Sequence, residues 1–262
     1  MRYWFAVFTA LLVTAAGARG ETRPRDLGRF FTGHEGAFVM LDVRNNRTIR
    51  FNAPRCKQRF VPCSTFKIPN SLVGLETGVI PNPEHRMRWD GKKQYIPSHN
   101  RDHTMRSAFK ESVGWYYQRL AAGVGTERMR RYVKGFRYGN QEVSDASTRF
   151  WHGSLKISAE EQVAFLLRLH RNGLPVSRRT LDEVRKLMFA VKTDKGVLRG
   201  KTGTDGYPKG DEMIATLGWY VGWVEHNGSA YIFATNISGG ENPTGRDARR
   251  ITENILRSEG LL

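Results

Sequence analysis

An α+β fold is predicted for this chain: one antiparallel sheet built from both chain ends with flanking helices, plus an inserted all-helical lobe. Three observations predict it. Strand patterns cluster near the two ends of the 262 residues, helical periodicity fills the middle, and a last helical segment closes the chain. Strands from opposite ends meet in one sheet when the segment between them folds as an excursion.

In order, "GAFVMLDV" and "RTIRFNAP" read as two short strands joined by a turn at Asn45-Asn46. From Ser64 the period turns helical. "STFKIPNSLVGLETG" places Phe66, Leu72, Leu75 and Val79 at helical spacing, with a stop at Gly78 near Pro81. Pro69 falls in its first turns, where it costs at most one hydrogen bond. "TMRSAFKESVGWYYQRLAAGVG", "GTERMRRYVKGF", "SAEEQVAFLLRLHRNGL" and "SRRTLDEVRKLMF" continue the helical lobe, the third opening on a capping box, Ser158 and Glu161. Strands return from about Lys195 as "GVLRGKTG", "ATLGWYVGWVEH" and "SAYIFATNIS", with a tight hairpin at Asn227-Gly228. "TDGYPKGDEMIA" reads as the loop linking the first two of these, and a helix from about Arg246 to Ser258 ends the chain. The sheet lobe thus takes about 19–60 and 191–262 and the helical lobe about 61–190, with a substrate cleft expected between them.

Residues 1–18 have the layout of a secretory signal peptide: Arg2, an apolar run from Tyr3 to Ala16, and small residues Ala16-Gly17-Ala18. The run is too short and wrongly flanked for a stable span. The mature domain, 19–262, is expected to be exported to the periplasm without stable membrane association, as a monomer or homodimer. The full chain's formal charge of +17 suits anionic surfaces, but the basic residues are spread, with short clusters only at "RMRRYVK" and "RDARR". No nucleic-acid motif accompanies them, so a solvated positive surface is expected and no nucleic-acid partner. Cys56 and Cys63 are read either as a disulfide bracing the approach to Ser64 or as two buried thiols. No metal site is expected: His99 and His103, in polar "HNRDH", read as loop surface.

The chemistry gathers at "VPCSTFKIPNSL". Ser64 and Lys67 are i and i+3 on one helix face, so a hydroxyl and an amine come within reach of each other. Free N–H groups at a helix start stabilise an oxyanion, which suits acyl transfer through a serine ester. S-x-x-K alone equally describes a capping serine and a snorkelling lysine. Lys201-Thr202-Gly203 closes a predicted strand, offering a charge, a hydroxyl and a close approach to the backbone. S-x-x-K paired with K-T-G is a signature of class A β-lactamases and penicillin-binding proteins.

"STFK", the serine motif at Ser112 in "ESVGWYY", "YGN" at Tyr138-Gly139-Asn140, "FWHGSLKIS" and "KTG", in that order, resemble the class D, oxacillinase-type, β-lactamases from about Gly36 onward. Ser112-Val113-Gly114 lacks the asparagine that class A enzymes and transpeptidases carry. The resemblance implies a serine β-lactamase fold and a β-lactam small-molecule substrate. It implies Ser64 as nucleophile and Lys67, carboxylated by CO2, as general base; no other cofactor is implied. Trp151 would hold the carbamate through its indole N–H, and Ser112 would relay a proton to the departing nitrogen with Lys201 near it. Thr202, Gly203, Thr204, Tyr138 and Arg246 would shape or bind the substrate site, the backbone N–H groups of Ser64 and Thr204 forming the oxyanion hole. Two departures stand out. Gly114 and His152 replace apolar residues that in the family cover the carbamate, which predicts a wetter pocket and weaker carbamate retention. The family's carboxylate-gripping arginine falls in register on Ala248, leaving Arg246 or Arg249 to serve after a shift, or neither. A sensor or penicillin-binding domain with a long-lived acyl adduct is the alternative function.

Overall fold

The computed structural model describes residues 26–210 and 212–262, so the expected signal peptide lies outside the described residues. β1 (Glu35–Asp42) and β2 (Arg47–Phe51) form the N-terminal hairpin, and Asn46 at φ 49° supplies the left-handed turn residue. β2 stops earlier than its sequence suggests. Asn52 turns to φ 55° and caps a short α1 (Ala53–Lys57), its side chain accepting from Arg55 N at 3.3 Å.

At the other end lie β5 (Phe189–Lys192), β6 (Val197–Lys209), β7 (Glu212–His226) and β8 (Ser229–Ser238). The six strands run β2-β1-β8-β7-β6-β5, all antiparallel. The two chain ends meet where β1 pairs with β8, Val39 opposite Ala234. Asn227 (φ 46°) and Gly228 (φ 69°) make the tight β7–β8 turn. β5 is a correction: "KLMF" continues a helical pattern, yet α7 (Arg178–Leu187) ends just before it and Phe189 opens an edge strand. A second correction concerns "TDGYPKGDEMIA", which is a hairpin arm and no loop. Pairing continues past a bulge at Asp205/Gly206 to Lys209 opposite Glu212, carrying Tyr207 and Met213 out to solvent.

Both faces of the sheet are covered, so β7 reads as an almost unbroken apolar run. Trp219, Val221 and Trp223 point to the helical side and Tyr220 and Val224 to the other. That other face takes α8 (Gly245–Ser258) through Ile251 and Ile255. A capping box fixes the start of α8: Thr244 accepts from Asp247 N, and the Asp247 carboxylate accepts from Thr244 N.

The helical side holds α2 (Lys67–Glu76), α3 (Met105–Glu111), α4 (Gly114–Val124), α5 (Thr126–Gly135) and α6 (Ala159–His170), with the predicted Ser158–Glu161 capping box in place. Two short strands, β3 (Arg86–Met87) and β4 (His103–Thr104), pair beside α3. His99 and His103 are buried here rather than on the surface, bonded to Glu111 O and to Ser107 Oγ and Ser98 O. Among the described residues no helix is long and apolar enough to cross a membrane.

Candidate active site

Ser64 is presented by a 3-10 turn, Cys63–Phe66, that runs straight into α2. The α-helix therefore starts at Lys67, three residues later than its periodicity suggests. Lys67 is 3% exposed, and its Nζ donates to Ser64 Oγ at 2.8 Å. The ring of Tyr117 lies 5.3 Å from Nζ. Burial first, then the like charges of Lys201 and Arg149, hold this amine well below the ordinary lysine range. The neutral form is thereby favoured, the form that shares or accepts protons.

A second serine–lysine pair faces the first. Lys201 on β6 is 5% exposed and donates to Ser112 Oγ at 2.7 Å and to Thr202 O at 2.9 Å. Burial pushes its pKa down to about 7. Ser112 is not the helical residue its surroundings suggest. α3 ends at Glu111, Ser112 takes a left-handed φ of 63°, and α4 restarts at Gly114. The break aims the hydroxyl across at the strand.

Strand alternation puts Lys201, Gly203 and Asp205 on one face of β6 and Thr202 and Thr204 on the other. Gly203 admits a close approach, and what approaches is the protein's own turn: a Cβ there would lie 3.1 Å from Pro62 O and 3.2 Å from Thr65 N. Behind β6, a Cβ on Gly245 would come 2.6 Å from Gly203 O, and Gly245 N donates to Thr204 Oγ1 at 2.9 Å. Helix, strand and nucleophile turn are stacked backbone on backbone. Gly200 N donates outward to Met188 O at 2.7 Å, whereas β5 pairs only as far as Arg199. With a period of two, the N–H groups of Thr202 and Thr204 point to the same edge, where β5 no longer covers them.

Trp151 is 2% exposed and stacks on Phe66 with centroids 5.5 Å apart. Phe66 belongs to the turn that presents Ser64, so the indole packs against that turn. Next to it, His152 Nδ1 donates to Asp205 Oδ1 at 2.7 Å. Asp205 was not singled out from the sequence; its place two residues beyond Gly203, on the same strand face, was the available signal. Cys63, His152 and Asp205 bring their ligand-type atoms within 4.8 Å of one another, a grouping the spacing of these residues does not announce.

Tyr138 requires a correction. Its turn forms as expected, but the side chain is fully buried, edge-on to Phe66 and Phe165, with its hydroxyl accepting from Gln162 Nε2 at 3.2 Å. Packed against Phe66, it can shape the site from the interior but offers no exposed surface to a ligand. Arg246 is a second correction. It is exposed and bonds to no described residue, whereas Arg249, one turn along α8, lines a cavity of about 400 Å³ with Lys201, Thr202, Phe109 and Tyr220. Helical geometry explains the difference, because residues 245 and 249 share a face against β6 and residue 246 turns away. Cys56 and Cys63 are both free and buried, Cys56 donating to Phe51 O at 3.2 Å, which settles the open pair as two thiols.

Comparison with known proteins fits this geometry. A family model described as the penicillin binding protein transpeptidase domain matches residues 36–257. The probable beta-lactamase YbxI of Bacillus subtilis (strain 168) is 37% identical over 233 residues, covering 88% of this chain and 84% of that protein. Beta-lactamase OXA-48 of Klebsiella pneumoniae is 37% identical over 238 residues, 88% of this chain and 87% of that one. Among solved structures, the class D YbXI beta-lactamase from Nostoc superposes with a TM-score of 0.83 at 42% identity, covering 90% of this chain and 99% of that one. Relatives this close, spanning both serine–lysine pairs and the strand between them, place the chain in one family: it belongs to the class D β-lactamases, which are serine hydrolases.

Proposed function

We propose that the protein hydrolyses β-lactam antibiotics through a Ser64 acyl-enzyme, with N-carboxylated Lys67 as general base for acylation and deacylation. The observation that carries this reading is the 2.8 Å contact between Ser64 Oγ and an almost fully buried Lys67 amine. A lysine kept neutral is a nucleophile toward CO2, and the residues around it fit the product: apolar rings from Phe66, Tyr117 and Trp151, with cationic groups beyond. Carboxylation supplies an oxygen base where the amine alone is a weak one.

In acylation, Lys67 in that form takes the proton of Ser64 as Oγ attacks the β-lactam carbonyl. The carbonyl oxygen is received by the N–H groups of Ser64 and Thr204, the latter directed to the uncovered edge of β6. Ser112 passes a proton to the departing ring nitrogen and is resupplied by Lys201, 2.7 Å away. Thr202, Lys201 and Arg249 line the cavity in which the substrate carboxylate would be held; Arg106 lines it too, and the two guanidinium groups pair with Glu253 (Arg249) and Glu84 (Arg106). In deacylation Lys67 takes a proton from the attacking water. Export to the periplasm belongs to the same proposal and rests on the leader-like residues 1–18.

The test is a chromogenic cephalosporin with purified protein. Continuous colour supports hydrolysis; one equivalent of colour followed by arrest points to a long-lived adduct and overturns it.

Lys201 sets a pH limit on this scheme. Its charged form is needed to hold a carboxylate and to resupply Ser112, and burial brings its titration to about 7 in the free enzyme. We therefore expect kcat/KM to fall about tenfold per pH unit above that point, since this ratio reports the free enzyme's groups. Lys201→Arg, which does not titrate in this range, is expected to flatten the alkaline limb. A pH profile of kcat/KM from 5 to 10 on both proteins checks it, and an unchanged limb in the variant counts against Lys201.

A further inference from the structure

We infer that the Arg149 guanidinium is the electrostatic counterpart of carboxylated Lys67, standing beside Gly114 where an apolar side chain would otherwise cover the pocket. The inference deepens the proposed function and rests on its reading of Lys67.

Geometry brings Arg149 there from two directions. A Cβ on Gly114 would sit 3.7 Å from Arg149 Nη1, so the guanidinium lies in the space that a longer residue at this position would enter. Gly114 opens α4, and Tyr117, three residues on and so on the same helix face, carries the ring that lies 5.3 Å from Lys67 Nζ. From the other side, Arg149 leads directly into the turn Phe150–His152, whose Trp151 stacks on Phe66 next to Lys67.

Charge gives this placement its meaning. The Arg149 side chain makes no ion pair with any described residue, and its charge disfavours an ammonium on Lys67. The other groups acting on Lys67 are Lys201, a cation, and the Cys63 thiol, which burial keeps protonated; His99 also senses the lysine charge. An ammonium at Lys67 thus faces cations alone. Carboxylation reverses the sign: the neutral amine forms an N–C bond to CO2, a C=O electron pair moves onto oxygen, and the nitrogen releases its proton to water. The product is an anion, and Arg149 and Lys201 now attract it. The neighbouring carboxylate, Asp205, is engaged by His152. Loss of the apolar cover at position 114 is therefore offset by charge, and the wetter pocket predicted from Gly114 and His152 does not by itself entail a weaker carbamate.

The experiment is a titration with 13C-labelled bicarbonate, following the carbamate carbon by NMR in the wild type, Arg149→Gln and Arg149→Lys. An opposite charge nearby shifts a protonation equilibrium by about one to three pKa units, and Arg149 is exposed, so the low end applies. Arg149→Gln is expected to raise the half-saturating bicarbonate about tenfold and Arg149→Lys about twofold or less. At about 1 M salt the wild type should approach Arg149→Gln, because screening acts on the exposed guanidinium. At saturating bicarbonate, kcat of Arg149→Gln is expected to return to the wild-type value. Equal half-saturation in wild type and Arg149→Gln overturns the role of Arg149 alone. Absence of a carbamate signal in the wild type at saturating bicarbonate overturns the reading of Lys67 itself.

Discussion

Replacing Lys67 by alanine is expected to lower β-lactam turnover by about 10³–10⁴-fold, the scale of a lost general base. The fold is expected to survive. The amine is buried among rings, its ammonium is disfavoured there, and among the described residues its one side-chain hydrogen bond is the 2.8 Å contact to Ser64. Removing a group whose charge the interior opposes relieves a desolvation cost while leaving a cavity, and these two effects act in opposite directions. Ser64 Oγ keeps its place on the 3-10 turn but loses the partner proposed to take its proton. Added bicarbonate is expected to restore nothing to this variant and to reactivate wild-type protein held in degassed buffer. Initial rates with a chromogenic cephalosporin, with and without bicarbonate, check both statements. Unaffected turnover in Lys67→Ala would sink the mechanism.

Ser64→Ala is expected to be more severe, about a millionfold, the loss found when the nucleophile is removed from a set of groups that act as a unit. The two variants differ in kind. Lys67→Ala retains the hydroxyl and, given hours with a penicillin, accumulates a covalent adduct that it releases slowly. Ser64→Ala forms none. Intact-protein mass spectrometry separates them by the mass of one penicillin molecule, and an adduct on Ser64→Ala would place the nucleophile elsewhere. The double variant is expected to be no worse than Ser64→Ala, since Lys67 has no proton to take once Oγ is gone.

Lys201 links activity to stability. Its pKa is about 7 in the folded protein and about 10.4 in an unfolded chain. Above pH 7 the unfolded state binds the extra proton, so stability rises with pH through this window; below it both states are protonated and the burial penalty is felt in full. A reactive, charged Lys201 and a comfortable one therefore occupy opposite sides of neutrality.

Local chemistry was legible in the sequence; tertiary direction was not. Ser64 and Lys67 are three residues apart, so their contact follows from a single turn of chain. Lys201 and Ser112 are 89 residues apart, and their 2.7 Å bond needs the sheet and helical lobe in place. The left-handed break at Ser112 is not legible because serine, unlike glycine or asparagine, gives no sign of positive φ, and helices run up to it from both sides. The "YGN" turn was read correctly, yet nothing in three letters says that the tyrosine points inward to Gln162. β5 was lost because an amphipathic pattern runs through Leu187 into Phe189, and only pairing with β6 decides otherwise. The Pro208-Lys209-Gly210 tip reads as a loop because turn residues mark where a hairpin ends, not how far its ladder extends.

Gly203 and Gly245 leave three main chains in direct contact, from the start of α8 through β6 to the turn that carries Ser64. Such a spine has no side chains to act as cushions, so a shift of the C-terminal helix is transmitted to the nucleophile almost undiminished. The free end of the β6–β7 arm is the opposite case: Tyr207 and Met213 stand clear of the core, so a change there leaves the stacked backbone undisturbed.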